Sequence, residues 1–313
     1  MIQIYGAGIA GTYLYHLLQN SGLDVAIYDK RREPDCRCAW GIVYSEARRL
    51  YSRVGINLDD YVLLRPEYIV ANGIWLKNRD VVIFDKKQLL SDLWEFEIVK
   101  IENPELIVDA TGVSRALLPP LQEDRVLPTV QFVEKHDVEE NLYIQMDRTG
   151  YAWAFPLGEG KWHVGAGNVE PGKIAEFIED LRKKYGFSET ETLCRCSAKI
   201  RLLQPSKCRP FLFGKVVGVG EAIGCVSGAG EGNVPALDSA RILYECIVSD
   251  SLNEYEGRIL EELEWVEVEQ KFVDAMLRGN YLSALKHLPR IISTESRRAV
   301  YHSIADIRKL LGL

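Results

Sequence analysis

The chain has 313 residues, 47% of them hydrophobic and 27% charged, with 25 glycines and 12 prolines; this composition is globular and excludes a small stapled scaffold, a collagen-like chain and an intrinsically disordered one. Lys and Arg number 38 against 45 Asp and Glu, a net charge of −7, so no global field draws the chain to nucleic acid or to an anionic membrane. No apolar stretch reaches the ~18 residues of a membrane span, the nearest, 216–230, being broken by glycines and Glu221. The absence of a basic leader predicts a cytoplasmic chain, and seven cysteines, an odd set, fit poorly with a closed secreted disulfide framework.

In chain order, residues 2–5 read as a short buried strand and 12–20 as a helix with Leu14, Leu17 and Leu18 on one side, joined by Gly6-Ala7-Gly8-Ile9-Ala10-Gly11. Strand, Gly-x-Gly-x-x-Gly and helix arrive in the order of a dinucleotide-binding turn. Gly6 permits the tight turn, Gly8 lets the backbone approach a pyrophosphate, and Gly11 allows close helix–strand packing, while the helix N-terminus offers N–H groups and positive dipole. A second strand, 24–28, ends at Asp29, 18 residues past Gly11 and near the ~20 expected of a carboxylate that accepts ribose hydroxyls. A glycine-rich turn of another α/β protein is the alternative. FAD and NAD are not separated here, since both bury an ADP moiety in the same way.

Next come basic residues Lys30, Arg31 and Arg32, the stretch Cys36-Arg37-Cys38-Ala39-Trp40-Gly41, and a helix over 45–54. Residues 68–75 and 80–84 read as a strand pair, 86–93 as a short helix, and 105–110 as an apolar strand running into Asp109-Ala110-Thr111-Gly112. From 130 to 169 the alternation predicts an antiparallel sheet, with 161–167 returning through Gly158-Glu159-Gly160 as a hairpin. Tyr151, Trp153 and Phe155 fall on one strand face, either a core stripe or an aromatic wall. A helix over 172–185, a central strand over 216–219, a loop over 220–232 with five glycines, a helix over 235–246 and a helical remainder complete the chain. The fold class is α/β: a Rossmann-type nucleotide-binding domain (1–60, 80–120 and 205–250) interleaved with an antiparallel β-sheet substrate domain (61–79 and 121–204), followed by a C-terminal helical segment (251–313).

Four separated stretches form a set: Gly6-x-Gly8-x-x-Gly11 with Asp29; Asp109-Ala110-Thr111-Gly112; Tyr151-x-Trp153-x-Phe155-Pro156-x-Gly158; and Gly220-Glu221-Ala222-Ile223-Gly224 leading to Gly228-x-Gly230-Glu231-Gly232. Over residues 1 to about 250 the set resembles the geranylgeranyl reductase family of FAD enzymes, within the p-hydroxybenzoate-hydroxylase-like flavoproteins. The resemblance implies FAD as cofactor and hydrogenation of isoprenoid C=C bonds. It assigns cofactor contacts to Gly6, Ala7, Gly8, Ile9, Ala10 and Gly11, to Asp29, Lys30 and Arg37, to Asp109, Ala110, Thr111 and Gly112, and to Gly220, Glu221, Gly230, Glu231, Gly232 and Asn233. Trp40, Trp153, Phe155 and Pro156 are the implied substrate contacts. Cys38 and Tyr151 are the implied proton donors, because reducing a C=C bond needs a proton besides the hydride; a small buried hydrophobe is the other reading of Cys38. Glu221 stands where the family has aspartate, and Ser227 where it has proline. Gly224 replaces a histidine usual in ring hydroxylases and favours the reductases.

A monooxygenase of a small aromatic or apolar substrate and a redox-responsive flavin-binding protein without turnover are the alternatives. The pairs Cys36/Cys38 and Cys194/Cys196 read as thiols, with a disulfide or a metal site as other readings and no metal expected. His163, on the strand paired with the aromatic row, is read as a satisfied strand histidine, with a contact to the pocket as the other reading. The implied partners are a hydrophobic or prenyl-lipid substrate and an external electron donor, NAD(P)H or a ferredoxin-like protein. Residues 254–278 carry net charge −5 and 286–313 carry +4; these are solvated helix faces that pair with each other or, alternatively, a basic surface for peripheral membrane contact that depends on Arg297 and Arg298. Only 11 residues separate the helix at 86–93 from the strand at 105, which implies a trimmed substrate sheet and a more open pocket than the family usually has.

Overall fold

The structure is a computed structural model and describes residues 1–34, 39–188 and 191–301. The first apolar run forms β1 (Ile2–Tyr5), flanked in parallel by β2 (Val25–Tyr28) and β8 (Leu106–Asp109). Beyond β8 lies parallel β15 (Val216–Gly218), and β14 (Leu212–Phe213) closes that edge in antiparallel fashion. Ile4, Ile27, Val108 and Val217 are fully buried, the continuous apolar pattern of a parallel sheet. Helices α1 (Ile9–Asn20) and α5 (Asn233–Val248) pack against one another, so the two glycine-rich turns that start them are neighbours.

The larger sheet has eight strands in the order β13-β9-β12-β11-β10-β5-β6-β16. They are β5 (Tyr68–Ala71), β6 (Ile74–Asn78), β9 (Val126–Lys135), β10 (Leu142–Met146), β11 (Gly150–Gly158), β12 (Lys161–Asn168), β13 (Thr192–Arg201) and β16 (Val300–Tyr301). A small sheet of β3 (Gly41–Val43), β7 (Val81–Phe84) and β4 (Val62–Leu64) packs on the large one, with β4 and β7 in contact with β11. The remaining helices are α2 (Tyr44–Tyr51), α3 (Lys86–Leu93), α4 (Ile174–Tyr185), α6 (Tyr255–Glu262), α7 (Glu264–Leu277) and α8 (Tyr281–Arg298). Local chemistry sets their ends: the Asp85 side chain accepts from the Gln88 N–H at the start of α3, and Gly186, at φ +77, ends α4.

The two faces of the large sheet differ. Ala152, Ala154, Val164 and Ala166 bury against Ile178 and Leu181 of α4, leaving Tyr151, Trp153 and Phe155 on the opposite face. Two expectations are corrected. The strand pair 68–75 with 80–84 is instead β5 with β6, turned by Asn72-Gly73 at φ +51 and +89, the two-residue turn that Asn-Gly favours; β7 joins the small sheet. The C-terminal segment is not wholly helical, since Val300–Tyr301 adds a strand to β6.

Candidate functional site

The three glycines of the first turn meet three different needs. A Cβ on Gly6, whose φ is +105, would lie 2.3 Å from the Ala110 carbonyl oxygen; one on Gly11 would lie 1.9 Å from the Gly6 carbonyl oxygen. A Cβ on Gly8 would meet nothing within 4 Å. Gly6 and Gly11 are therefore required by the fold, whereas Gly8 is not, and the backbone beside it is open. Helix α1 begins at Gly8 with no side-chain cap and no acid in its first turn, and α5 begins at Gly232 in the same way. Two uncapped N-termini thus offer N–H groups to electron-rich ligand atoms.

Asp29 lies beside this turn. Its Oδ2 accepts from the Ala7 N–H at 2.8 Å and from the Arg31 guanidinium at 2.8 Å, and its Oδ1 accepts from the Arg31 backbone. Burial works to raise its pKa, but the bonds from Arg31 and Ala7 outweigh that and hold it at about 2. A ribose there would meet a carboxylate already oriented by Arg31. Lys30 is exposed, and Arg37 and Cys38 lie outside the described residues.

Asp109 is fully buried. Its Oδ1 accepts from the Thr111 N–H and hydroxyl and its Oδ2 from the Leu117 and Leu118 N–H groups, so it shapes the turn carrying Ala110, Thr111 and Gly112. Glu221 is held by Arg201, whose N–H donates to Oε1 at 2.7 Å and whose guanidinium reaches the Glu221 carbonyl, the Val113 carbonyl and both oxygens of Asp124. Burial raises the Glu221 pKa, with Arg201 opposing it. Arg115 donates to the Pro119, Pro210 and Ala222 carbonyls. These two arginines fasten the late loop to the strand ends. Sequence reasoning missed both, because most of their partners are 77 or more residues away in the chain.

Gly230 and Gly41 frame the aromatic face. A Cβ on Gly230 would lie 2.1 Å from the Tyr151 hydroxyl, and one on Gly41 would lie 2.9 Å from the Phe155 ring. The row Tyr151, Trp153, Phe155 thus spans from the glycine-rich loop to β3. Its cross-strand partners on β12 are Gly167, Gly165 and His163, and a Cβ on Gly165 would strike the Trp153 ring at 2.6 Å, so the glycine makes room for the indole. Trp153 Nε1–H donates to Gln131 Oε1 at 3.0 Å, and Gln131 donates to Cys196 Sγ at 3.9 Å. Trp40 packs edge-on against His163, with ring centroids 4.9 Å apart. Pro156 does not join this row: it is buried and pairs with Trp162, on the face that α4 covers. Trp153→Phe keeps a ring but strands the buried Gln131 oxygen, an expected loss of about 1–3 kcal/mol, read as a lower denaturation midpoint at unchanged denaturant slope.

The glycine-rich loop is clamped from behind by the C-terminal helices. Gln270 of α7 donates to the Val226 carbonyl at 2.9 Å, and Glu231 pairs with Arg298 of α8 at 3.1 Å. Arg298 also reaches Glu46 at 2.8 Å and Glu295 at 3.2 Å, and lies 3.7 Å from the Trp265 ring centroid. Glu231 therefore faces the C-terminal helices. Burial raises its pKa to about 7 against the pull of Arg298. Of the two readings of this segment, the geometry favours paired helix faces over a basic surface at Arg297 and Arg298, since the Arg298 side chain is only 9% exposed and is enclosed by carboxylates.

These elements define the class of the fold: the α/β, Rossmann-containing architecture of FAD-dependent oxidoreductases. Residues 4–39 match the NAD(P)-binding Rossmann-like domain. The whole chain is similar in fold to a geranylgeranyl bacteriochlorophyll reductase-like protein of Thermoplasma acidophilum, with 16% identity, a TM-score of 0.73, and coverage of 95% of this chain and 98% of that one. It is also similar to Klebsiella pneumoniae HpxO, solved with FAD and uric acid, with 14% identity, a TM-score of 0.66, and coverage of 93% and 92%. In sequence it is 26% identical to an uncharacterized protein of Methanocaldococcus jannaschii over 80% of this chain and 84% of that one. It is likewise 26% identical to the digeranylgeranylglycerophospholipid reductase of Sulfolobus acidocaldarius over 59% of this chain and 53% of that one. Among the described residues no helix is long and apolar enough to cross a membrane.

Proposed function

We propose that the chain binds FAD and reduces C=C bonds of an isoprenoid or other long apolar substrate. The observation that carries this reading is the aromatic row Tyr151, Trp153, Phe155, which runs along one sheet face to the glycine loop that starts α5. FAD fits the paired turns: the open Cα of Gly8 and the uncapped start of α1 suit its pyrophosphate, and the uncapped start of α5 suits an electron-rich ring edge. When bound, FAD supplies the hydride. In this reading residues 1–60, 80–120 and 205–250 bind the cofactor, and 61–79 with 121–204 bind the substrate. The aromatic row excludes water and aligns the apolar chain. Tyr151, placed against Gly230, holds the proton for the second carbon, and Cys38 is the other proposed donor. The chain works in the cytoplasm and draws electrons from NAD(P)H or a ferredoxin-like protein.

The test is anaerobic. Photoreduced protein is mixed with a geranylgeranyl lipid, and reoxidation accompanied by a product two hydrogens heavier is the expected result. Failure with several prenyl lipids, together with NAD(P)H oxidation that requires oxygen and a small aromatic substrate, overturns the reading in favour of a monooxygenase.

A further inference from the structure

His163 stands on β12 opposite Phe155 on β11 and opposite Val133 on β9. Cross-strand partners share a face, so its imidazole belongs to the aromatic row. It is 4% exposed, and among the described residues its Nδ1 has no hydrogen-bond partner. Another buried histidine, His136, also has an unpartnered Nδ1, but its ring is anchored through Nε2, 2.9 Å from Glu134. The neighbours of His163 include Trp40, whose ring stands perpendicular to the imidazole, and its cross-strand partners Phe155 and Val133. Burial is the cause that moves its pKa, down to about 4, so at neutral pH the ring is uncharged, with one donor and one acceptor. A polar nitrogen left unpaired in a core costs stability that a leucine or phenylalanine would not. Trp40 is only partly buried, so the imidazole is one side chain from solvent.

We propose that His163 is the polar contact point of the substrate wall and hydrogen-bonds an uncharged oxygen group, a hydroxyl or carbonyl, on a substrate whose apolar chain lies along Tyr151, Trp153 and Phe155. The inference rests on the functional reading above and narrows its substrate class. A neutral imidazole supplies no positive charge to offset the desolvation of a phosphate, so the preferred ligand carries an alcohol, ether or ketone rather than a diphosphate at this point.

The test uses FAD-loaded protein and equilibrium binding read from tryptophan fluorescence, with geranylgeraniol, the matching hydrocarbon and geranylgeranyl diphosphate as probes. The alcohol is expected to bind about tenfold more tightly than the hydrocarbon, the worth of one neutral hydrogen bond. His163→Phe is expected to remove that preference without lowering thermal stability, and His163→Asn, which keeps a neutral donor and acceptor, to retain part of it. Equal affinities for alcohol and hydrocarbon, a preference that survives His163→Phe, or a diphosphate affinity that depends on His163 overturns the inference alone. Binding of none of the three probes to the unaltered protein overturns the functional reading and this inference with it.

Discussion

Gly11→Ala is expected to weaken FAD binding by at least about tenfold and to destabilise the chain by about 1–3 kcal/mol or more. The added methyl would sit 1.9 Å from the Gly6 carbonyl oxygen, a backbone atom that yields only if α1 lifts from β1 or the turn opens. Gly8→Ala adds the same methyl three residues earlier, where it meets nothing within 4 Å, and its backbone, at φ −85 and ψ −168, suits alanine. Its stability is therefore expected to stay within about 0.5 kcal/mol of the unaltered chain, while FAD affinity falls because the methyl projects where the pyrophosphate passes. Thermal melts and flavin titrations on the two variants separate a glycine that the fold needs from one that the ligand needs. Gly8→Ala protein that binds FAD as well as the unaltered chain contradicts the proposed cofactor path.

Arg298→Met is the second variant with a large expected effect. It leaves Glu46, Glu231 and Glu295 without the cation they share, beside Glu269, which reaches the Ala229 N–H of the same loop. Breaking a buried ion cluster from one side costs about 3–5 kcal/mol. Burial pushes Glu231 to about 7, above the ordinary 4.5, and burial beside Glu295 and Glu231 raises Glu269 as well, so the folded chain holds protons there that the unfolded chain releases. That contribution is full below about pH 4.5 and is lost as pH rises through about 7. The amide protection factor in residues 226–232, the intrinsic exchange rate divided by the observed rate at each pH, is therefore expected to fall across that window, and more so in Arg298→Met, with part of the loss restored by adding Glu231→Gln. Asp29, held at about 2, has the opposite sign: its stabilisation is lost only as pH falls through that value. A protection factor in residues 226–232 that is flat from pH 5 to 8 contradicts the clamp.

What could be read from the residues followed from short-range chemistry. Gly6, Gly8 and Gly11 take their separate parts because the turn's geometry is local, and the helix at 86–93 was legible from its apolar spacing. Asn72-Gly73 carried a hairpin signal that points to β6 rather than β7 as the partner of β5. Alternation also places Pro156 with Ala152 and Ala154, away from the aromatic row. Arg201, Arg115 and Arg298 were not legible, because the partners that give each its role are brought near by the closed fold; Arg298 and Glu46 stand 252 residues apart. Gln131 left a weak trace as a polar residue on a strand otherwise packed in the sheet, and His163 was misread as satisfied because strand position alone does not say whether a ring nitrogen finds a partner.

Everything about the site rests on the cofactor, and the absorbance spectrum of the purified chain with the nucleotide released on denaturation tests that most directly. The expected result is the two-band spectrum of an oxidised flavin, with FAD released in equimolar amount or taken up to that level on reconstitution. A folded chain that binds NAD(P)H yet neither carries nor takes up FAD contradicts the account.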